Sequence, residues 1–188
     1  FQYSIRFSYS KVECAKNIEF IEHKPFKEIL KQYEISKDLE VNIAADLPSF
    51  SGLGSSSAFT VGLINGLCKY KDLNFTKHKL ATEAIRIEQD ILKEKVGSQD
   101  QVFAVYGGLN RINFHKNGEI KVDNININKT RLDELESSLL IFFTGITRRS
   151  QSIEKKKIDN MNNIETNLKK ILNMVDEGHN ILSGNGSL

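Results

Sequence analysis

Cysteine is nearly missing from this sequence. Cys14 and Cys68 lie far apart and fit no metal-ligand spacing, which argues against a thiolate metal site. Cys68 sits in an apolar run and reads as a buried thiol. So few cysteines, with no signal-like segment, point to a reducing, cytoplasmic setting. Charge of one sign is missing too. Twenty-six Lys and Arg against 24 Asp and Glu leave a formal net charge of +2, and Lys and Glu are interspersed. Nucleic acid therefore has no electrostatic claim as the main partner. No apolar run approaches the roughly 20 residues that span a bilayer, so no membrane partner is expected. Repeats and linkers are also missing. What remains is a chain of 188 residues, 39% hydrophobic and 27% charged. That supports a real core: one domain, or one domain with part of a second.

Two periodicities alternate along the chain. Tyr3, Ile5, Phe7 and Tyr9 alternate with Ser4, Arg6, Ser8 and Ser10, and Leu39, Val41 and Ile43 alternate again; both patterns predict half-buried strands. Pro25 opens a short helix with Phe26, Ile29, Leu30 and Tyr33 on one face. Further helices are expected over about 56–70, 77–95 and 100–106, with Thr76 as the N-cap of the second. Gly62 and Gly66 in the first of these suggest close packing against a neighbour. A hairpin follows over 109–127, with Asn117-Gly118 as its turn signal. "LLIFFTG", Leu139 to Gly145, reads as a buried strand, and 150–177 as a long amphipathic helix using Leu168, Ile171 and Leu172 among others. Charge rises near 128–136, a weak boundary. The alternation of elements says α/β or α+β.

The least ordinary stretch is "SGLGSSS", Ser51 to Ser57, with two glycines and four serines in seven residues. Glycines permit backbone angles closed to other residues and let a ligand approach the main chain. The serines stand where the next helix begins. There the first N–H groups lack internal partners and the helix dipole adds partial positive charge. The combination is an anion cradle suited to phosphate. A Walker A loop needs Lys after the final glycine, where Ser55 stands. A dinucleotide fingerprint needs a glycine near position 57. A hydrolase nucleophile elbow is nearly matched, with Ala58 in place of its last glycine. A flexible turn capping a buried helix fits this stretch alone as well.

Two carboxylates give the stretch company. On a wheel of about 100° per residue, Leu80, Ala81, Ala84, Ile85, Ile87, Ile91 and Leu92 form one apolar arc, and Glu88 is the polar residue inside it. A carboxylate there is costly unless it meets a cation or dense hydrogen bonds. It is either a salt-bridged structural residue or a ligand for Mg²⁺, which takes carboxylate and hydroxyl oxygens. Asp100 lies in a polar turn after Gly97. It is either an N-cap or, in a phosphotransferase, the group that orients an acceptor hydroxyl or takes its proton.

In this order the three pieces resemble the GHMP small-molecule kinases. "PSFSGLGSSSA", Pro48 to Ala58, is similar to that superfamily's phosphate-binding motif. Within it, "IRFSYSKVE", "EKVGSQDQVFAVYGGLNRINF" and "FFTGITRRSQSI" look most like the D-glycero-D-manno-heptose 7-phosphate kinases. The resemblance implies an α+β fold: an N-terminal domain like ribosomal protein S5 domain 2 (1–130, the ATP-binding domain), then the beginning of a ferredoxin-like domain (131–188). It implies ATP and Mg²⁺ as cofactors and a sugar or sugar phosphate as the small-molecule substrate, phosphorylated at its anomeric hydroxyl. Pro48, Ser51, Gly52, Leu53, Gly54, Ser55, Ser56 and Ser57 would hold the ATP phosphates. Ser56 and Glu88 would bind Mg²⁺, Asp100 would be catalytic, and Thr144 and Arg148 would lie on the acceptor side. The resemblance also leaves room for a homodimer.

The family's N-terminal motif should precede residue 1, and "SGNGSL" does not replace its glycine-rich third motif. The expectation is a central segment of such a kinase, inactive or weakly active alone. Alternatives are another GHMP kinase of fucose/galactose or homoserine/mevalonate type, a non-catalytic ATP-binding remnant, or a serine hydrolase using Ser56. The last requires a histidine beside Ser56 and an aspartate orienting it. His23, His78, His115 and His179 are scattered and read as surface or structural residues.

Overall fold

The alternation that opens the chain becomes a strand, β1 (Ile5–Ser8), in which Ile5 and Phe7 are fully buried. The computed structural model describes residues 3–46, 52–142, 161–184 and 187–188. They divide into two compact units, one up to Tyr106 and one from Gly107 onward.

In the first unit, β2 (Val12–Ala15) pairs antiparallel with β1 in the register Ile5↔Ala15 and Ser8↔Val12. β3 (Leu39–Asn42) pairs parallel with β1 in the register Ile5↔Leu39 and Ser8↔Asn42, giving the order β2-β1-β3. A parallel pair needs a long crossover, and the chain between β1 and β3 supplies it with α1 (Lys24–Gln32). Pro25 sits in the first turn of α1, and the His23 ring caps it, Nδ1 accepting from the Phe26 N–H at 3.2 Å. α1 buries Phe26, Ile29 and Leu30. Phe26 stacks on Phe7 with ring centroids 3.9 Å apart. α2 (Ser55–Tyr70) joins the same core through Val61, Leu63, Ile64, Leu67 and Cys68. Gly62 and Gly66 do not serve close packing: a methyl group on either would meet nothing within 4 Å.

The single helix expected over 77–95 is shorter and irregular. α3 (Lys77–Arg86) is capped by Thr76, whose Oγ1 accepts from the Lys79 N–H at 3.1 Å. Its winding then loosens into a π-helical turn over Ile87–Ile91, where the Leu92 N–H reaches the Ile87 carbonyl at 2.9 Å. Such turns insert a residue into the helical register and recur at functional sites. α4 (Gln99–Tyr106) follows and packs on both α2 and α3.

The second unit holds a hairpin, β4 (Asn110–Phe114) and β5 (Ile120–Asn124), in the register Asn110↔Asn124 and Phe114↔Ile120. The charged stretch near 128–136 is a helix, α5 (Lys129–Ser137), with Asn128 as its N-cap and no buried residue. Leu139–Phe142, expected as the start of a buried strand, form no ladder with the other described residues and lie 61–87% exposed. An apolar run without periodicity does not by itself distinguish a paired strand from an unpaired segment. The rest of that run, 143–145, lies outside the described residues, as do 150–160 of the long helix. The helix itself is present as α6 (Met161–Ser183), with Leu168, Ile171 and Leu172 exposed. Arg111 pairs with Asp176 on α6 at 2.5 Å, and Arg131 donates to the carbonyls of Ile181 and Leu182 near its C-terminal end.

Candidate functional site

The glycine-serine stretch forms the start of α2. Gly52 and Gly54 stand at φ +81° and +70°, a region that glycine enters without the cost other residues bear. Gly54 is the N-cap of α2, and its carbonyl accepts the first helical bond, from the Ala58 N–H at 2.9 Å. Among the described residues no side chain caps this helix, and its first turn carries no acidic residue. The N–H groups of Ser55, Ser56 and Ser57 are therefore left without helical partners at the positive end of a 16-residue helix. That is where an anion binds.

Glu88 reaches this turn from the π-helical segment. It is 1% exposed, as its place in the apolar arc implied. Its Oε2 accepts from Ser57 Oγ at 3.0 Å and from Gln101 Nε2. Ser57 is itself buried. Ser56, paired with Glu88 by the resemblance, is exposed on the same turn, and no hydrogen bond joins the two. Burial pushes the Glu88 carboxyl above the ordinary carboxylate range; the hydrogen bonds from Gln101 and Ser57 pull the other way, and the charge of Asp100 pushes up again. The Thr60 hydroxyl has one proton, and it donates to the Ser56 carbonyl at 3.3 Å. Glu88 Oε1 is consequently left with no donor.

Asp100 comes to the same turn from α4. It is exposed, in the first turn of α4. A Cβ built on Gly54 would lie 3.4 Å from both Asp100 Cγ and Oδ2. Asp100 and Glu88 thus converge on the N-terminus of α2, one reachable by solvent and one enclosed. Gln89, next to Glu88 on the π-helical turn, donates to the Val96 carbonyl at 3.0 Å and Ser98 Oγ at 3.3 Å, and so ties down the segment that leads into α4.

The donors gathered here are oxygens: the unpartnered Glu88 Oε1, the Asp100 carboxylate and the serine hydroxyls. Hard cations such as Mg²⁺ take this set. Among the described residues no three His, Cys, Asp or Glu cluster to hold a metal. Mg²⁺ is commonly held by one or two carboxylates together with a nucleotide's phosphates. A serine-hydrolase arrangement is not present, since no histidine partners Ser56 among the described residues; His23 spends its Nδ1 on the α1 cap. Pro48, Ser51, Thr144 and Arg148 lie outside the described residues.

The family model for the N-terminal domain of GHMP kinases matches residues 16–108, which contain the α2 turn, Glu88 and Asp100. Residues 16–108 form a GHMP kinase N-terminal domain. The chain is 36% identical, over 113 residues, to the D-glycero-alpha-D-manno-heptose 7-phosphate kinase of Campylobacter jejuni, covering 60% of this chain and 33% of that protein. It is 30% identical, over 123 residues, to the galactokinase of Pyrococcus furiosus, covering 64% of this chain and 33% of that protein. A crystal structure of a candidate sugar kinase from Campylobacter jejuni superposes with a TM-score of 0.67 at 25% identity, covering 94% of this chain and 60% of that one. The chain thus spans about a third of the length of these two curated relatives. The fold is the α+β GHMP kinase fold.

Gln101 is the site residue that the sequence reading missed. It is 0% exposed and polar, one position after Asp100 and directly before the apolar run Val102 to Val105. A helical wheel does not single it out, because on so short a helix Gln99, Asp100 and Gln101 all fall between apolar positions.

Proposed function

We propose that the protein carrying this segment is an ATP- and Mg²⁺-dependent kinase of a sugar or sugar phosphate. The favoured substrate is D-glycero-D-manno-heptose 7-phosphate, phosphorylated at its anomeric hydroxyl. One observation carries the reading: an exposed carboxylate, Asp100, packs against Gly54 at an uncapped helix N-terminus, while a second, Glu88, is buried beside Ser57 in the same turn. A phosphoryl-transfer site needs an anion cradle, a cation ligand and a group for the acceptor proton, each separately placed. The similarity to sugar and heptose kinases supports the substrate class.

In this reading Gly52, Leu53, Gly54 and the N–H groups of Ser55 to Ser57 hold the phosphates of ATP, with Pro48 and Ser51 completing the loop. Glu88 and Ser56 would hold Mg²⁺, which supplies neutralising charge to the phosphate oxygens. Asp100 orients the acceptor hydroxyl and takes its proton. The freed oxygen bonds to the γ-phosphorus, the bond to the β–γ bridging oxygen breaks, and ADP leaves. Thr144 and Arg148 belong to the acceptor side, since arginine suits a sugar's phosphate. Residues 1–130 are assigned to the ATP-binding domain and 131–188 to the start of the C-terminal domain. Supply of ATP and the two free thiols, Cys14 and Cys68, suit the cytoplasm.

Coupled measurement of ADP release by the intact protein tests this. Turnover with heptose 7-phosphate in preference to galactose and mevalonate is expected. Turnover with galactose or mevalonate instead would replace the substrate. Mg-ATP binding without transfer to any acceptor would make the segment part of a non-catalytic nucleotide-binding protein.

A further inference from the structure

We propose that Gln101 is a positioning residue that couples the two carboxylates of the site. This rests on the metal role given above to Glu88. Gln101 touches both halves of the problem. Its side-chain Nε2 donates to Glu88 Oε2. Its backbone follows directly on Asp100, whose carboxylate lies against Gly54. Fixing the Gln101 side chain therefore fixes the start of α4, and with it the place of Asp100 relative to Glu88.

The residue type is informative. A fully buried amide costs free energy that an apolar side chain of similar volume would not, and only hydrogen bonds recover it. Gln101 makes one, to Glu88, and its Oε1 has no partner. Core filling alone does not explain an amide here; holding a carboxylate does. With Ser57 and Gln101 both on Oε2, the Glu88 carboxylate is pinned in one orientation and Oε1 is kept free of protein donors. The π-helical turn makes this possible from one element: Glu88 meets α4, and its neighbour Gln89 meets the segment just before α4. Outer partners of this kind, which orient a ligating carboxylate, typically change metal affinity about 10–100-fold when removed.

Mn²⁺ binding to the intact protein, followed by electron paramagnetic resonance with ATP present, tests the coupling. Gln101→Met keeps the volume and removes the donor. It should weaken Mn²⁺ binding roughly tenfold or more, with the KM for the sugar substrate unchanged. Gln101→Leu also removes the donor and should weaken binding similarly; it stands in should Gln101→Met fail to fold. In a Glu88→Gln background, Gln101→Met should have no further effect on the metal. Wild-type binding that Gln101→Met and Gln101→Leu leave unchanged overturns the role of Gln101 alone. A wild-type protein that binds no Mn²⁺ with ATP overturns the metal site, and the positioning role with it.

Discussion

Alanine at Gly54 and alanine at Gly52 separate two things that the turn before α2 does. Both glycines sit in the left-handed region, at φ +70° and +81°. Any other residue there costs about 1–2 kcal/mol. Each substitution should therefore destabilise the fold by about that amount, a shift in Tm of several degrees for a unit of this size. The surroundings differ. A methyl on Gly52 meets nothing within 4 Å, whereas one on Gly54 meets Asp100 Cγ and Oδ2 at 3.4 Å and Cβ at 3.5 Å. Those distances are ordinary contact, so Gly54→Ala adds no steric penalty to stability. It does place a methyl group against the Asp100 carboxylate. Thermal melts should give similar losses for the two variants. Steady-state kinetics should not: Gly54→Ala should lower kcat beyond Gly52→Ala, because only its methyl touches the carboxylate that must turn toward the acceptor. Equal kcat values in two equally destabilised proteins would refute the placement of Asp100 against the turn.

His23 supplies a pH dependence. Burial holds its imidazole below the ordinary histidine value, and Glu13 partly opposes this. The unfolded chain thus binds the proton more readily, so the stabilisation is complete above about pH 6.5 and is lost as pH falls through the lower folded value. Urea midpoints measured from pH 8 to 5 should decline, and His23→Asn, which can still cap α1 but does not titrate, should decline less steeply. Thr76→Ala removes the cap of α3 and should cost about 1 kcal/mol, read by chemical denaturation, with little change in KM for ATP.

The parts of the fold legible in the sequence are those with a sharp period or a strong punctuation mark. Pro25, Thr76 and Asn117-Gly118 bound α1, α3 and the hairpin as their chemistry demands. Glu88 stood out because one carboxylate in an apolar arc is expensive, and it is buried. What was not legible depends on tertiary context. β2 shows only Ala15 to the core, with Val12 and Cys14 exposed, so no apolar alternation announces it. α5 buries nothing and is written only in its Asn128 cap and the Lys129–Asp133 pair one turn apart. The π-helical turn that carries Glu88 has no periodic signature. A regular wheel does not distinguish Ser56 from Ser57; the contact falls on Ser57.

The division of labour between the two carboxylates is the centre of the account, and Asp100→Asn tests it most directly. Transfer measured in a single turnover by the intact protein should slow by about 100-fold or more, the usual contribution of a positioned acid–base group. ATP affinity, measured on the same protein by titration, should change little, because Asp100 acts on the acceptor and the helix N-terminus holds the phosphates. An Asp100→Asn protein that transfers phosphate at the wild-type rate would contradict the account.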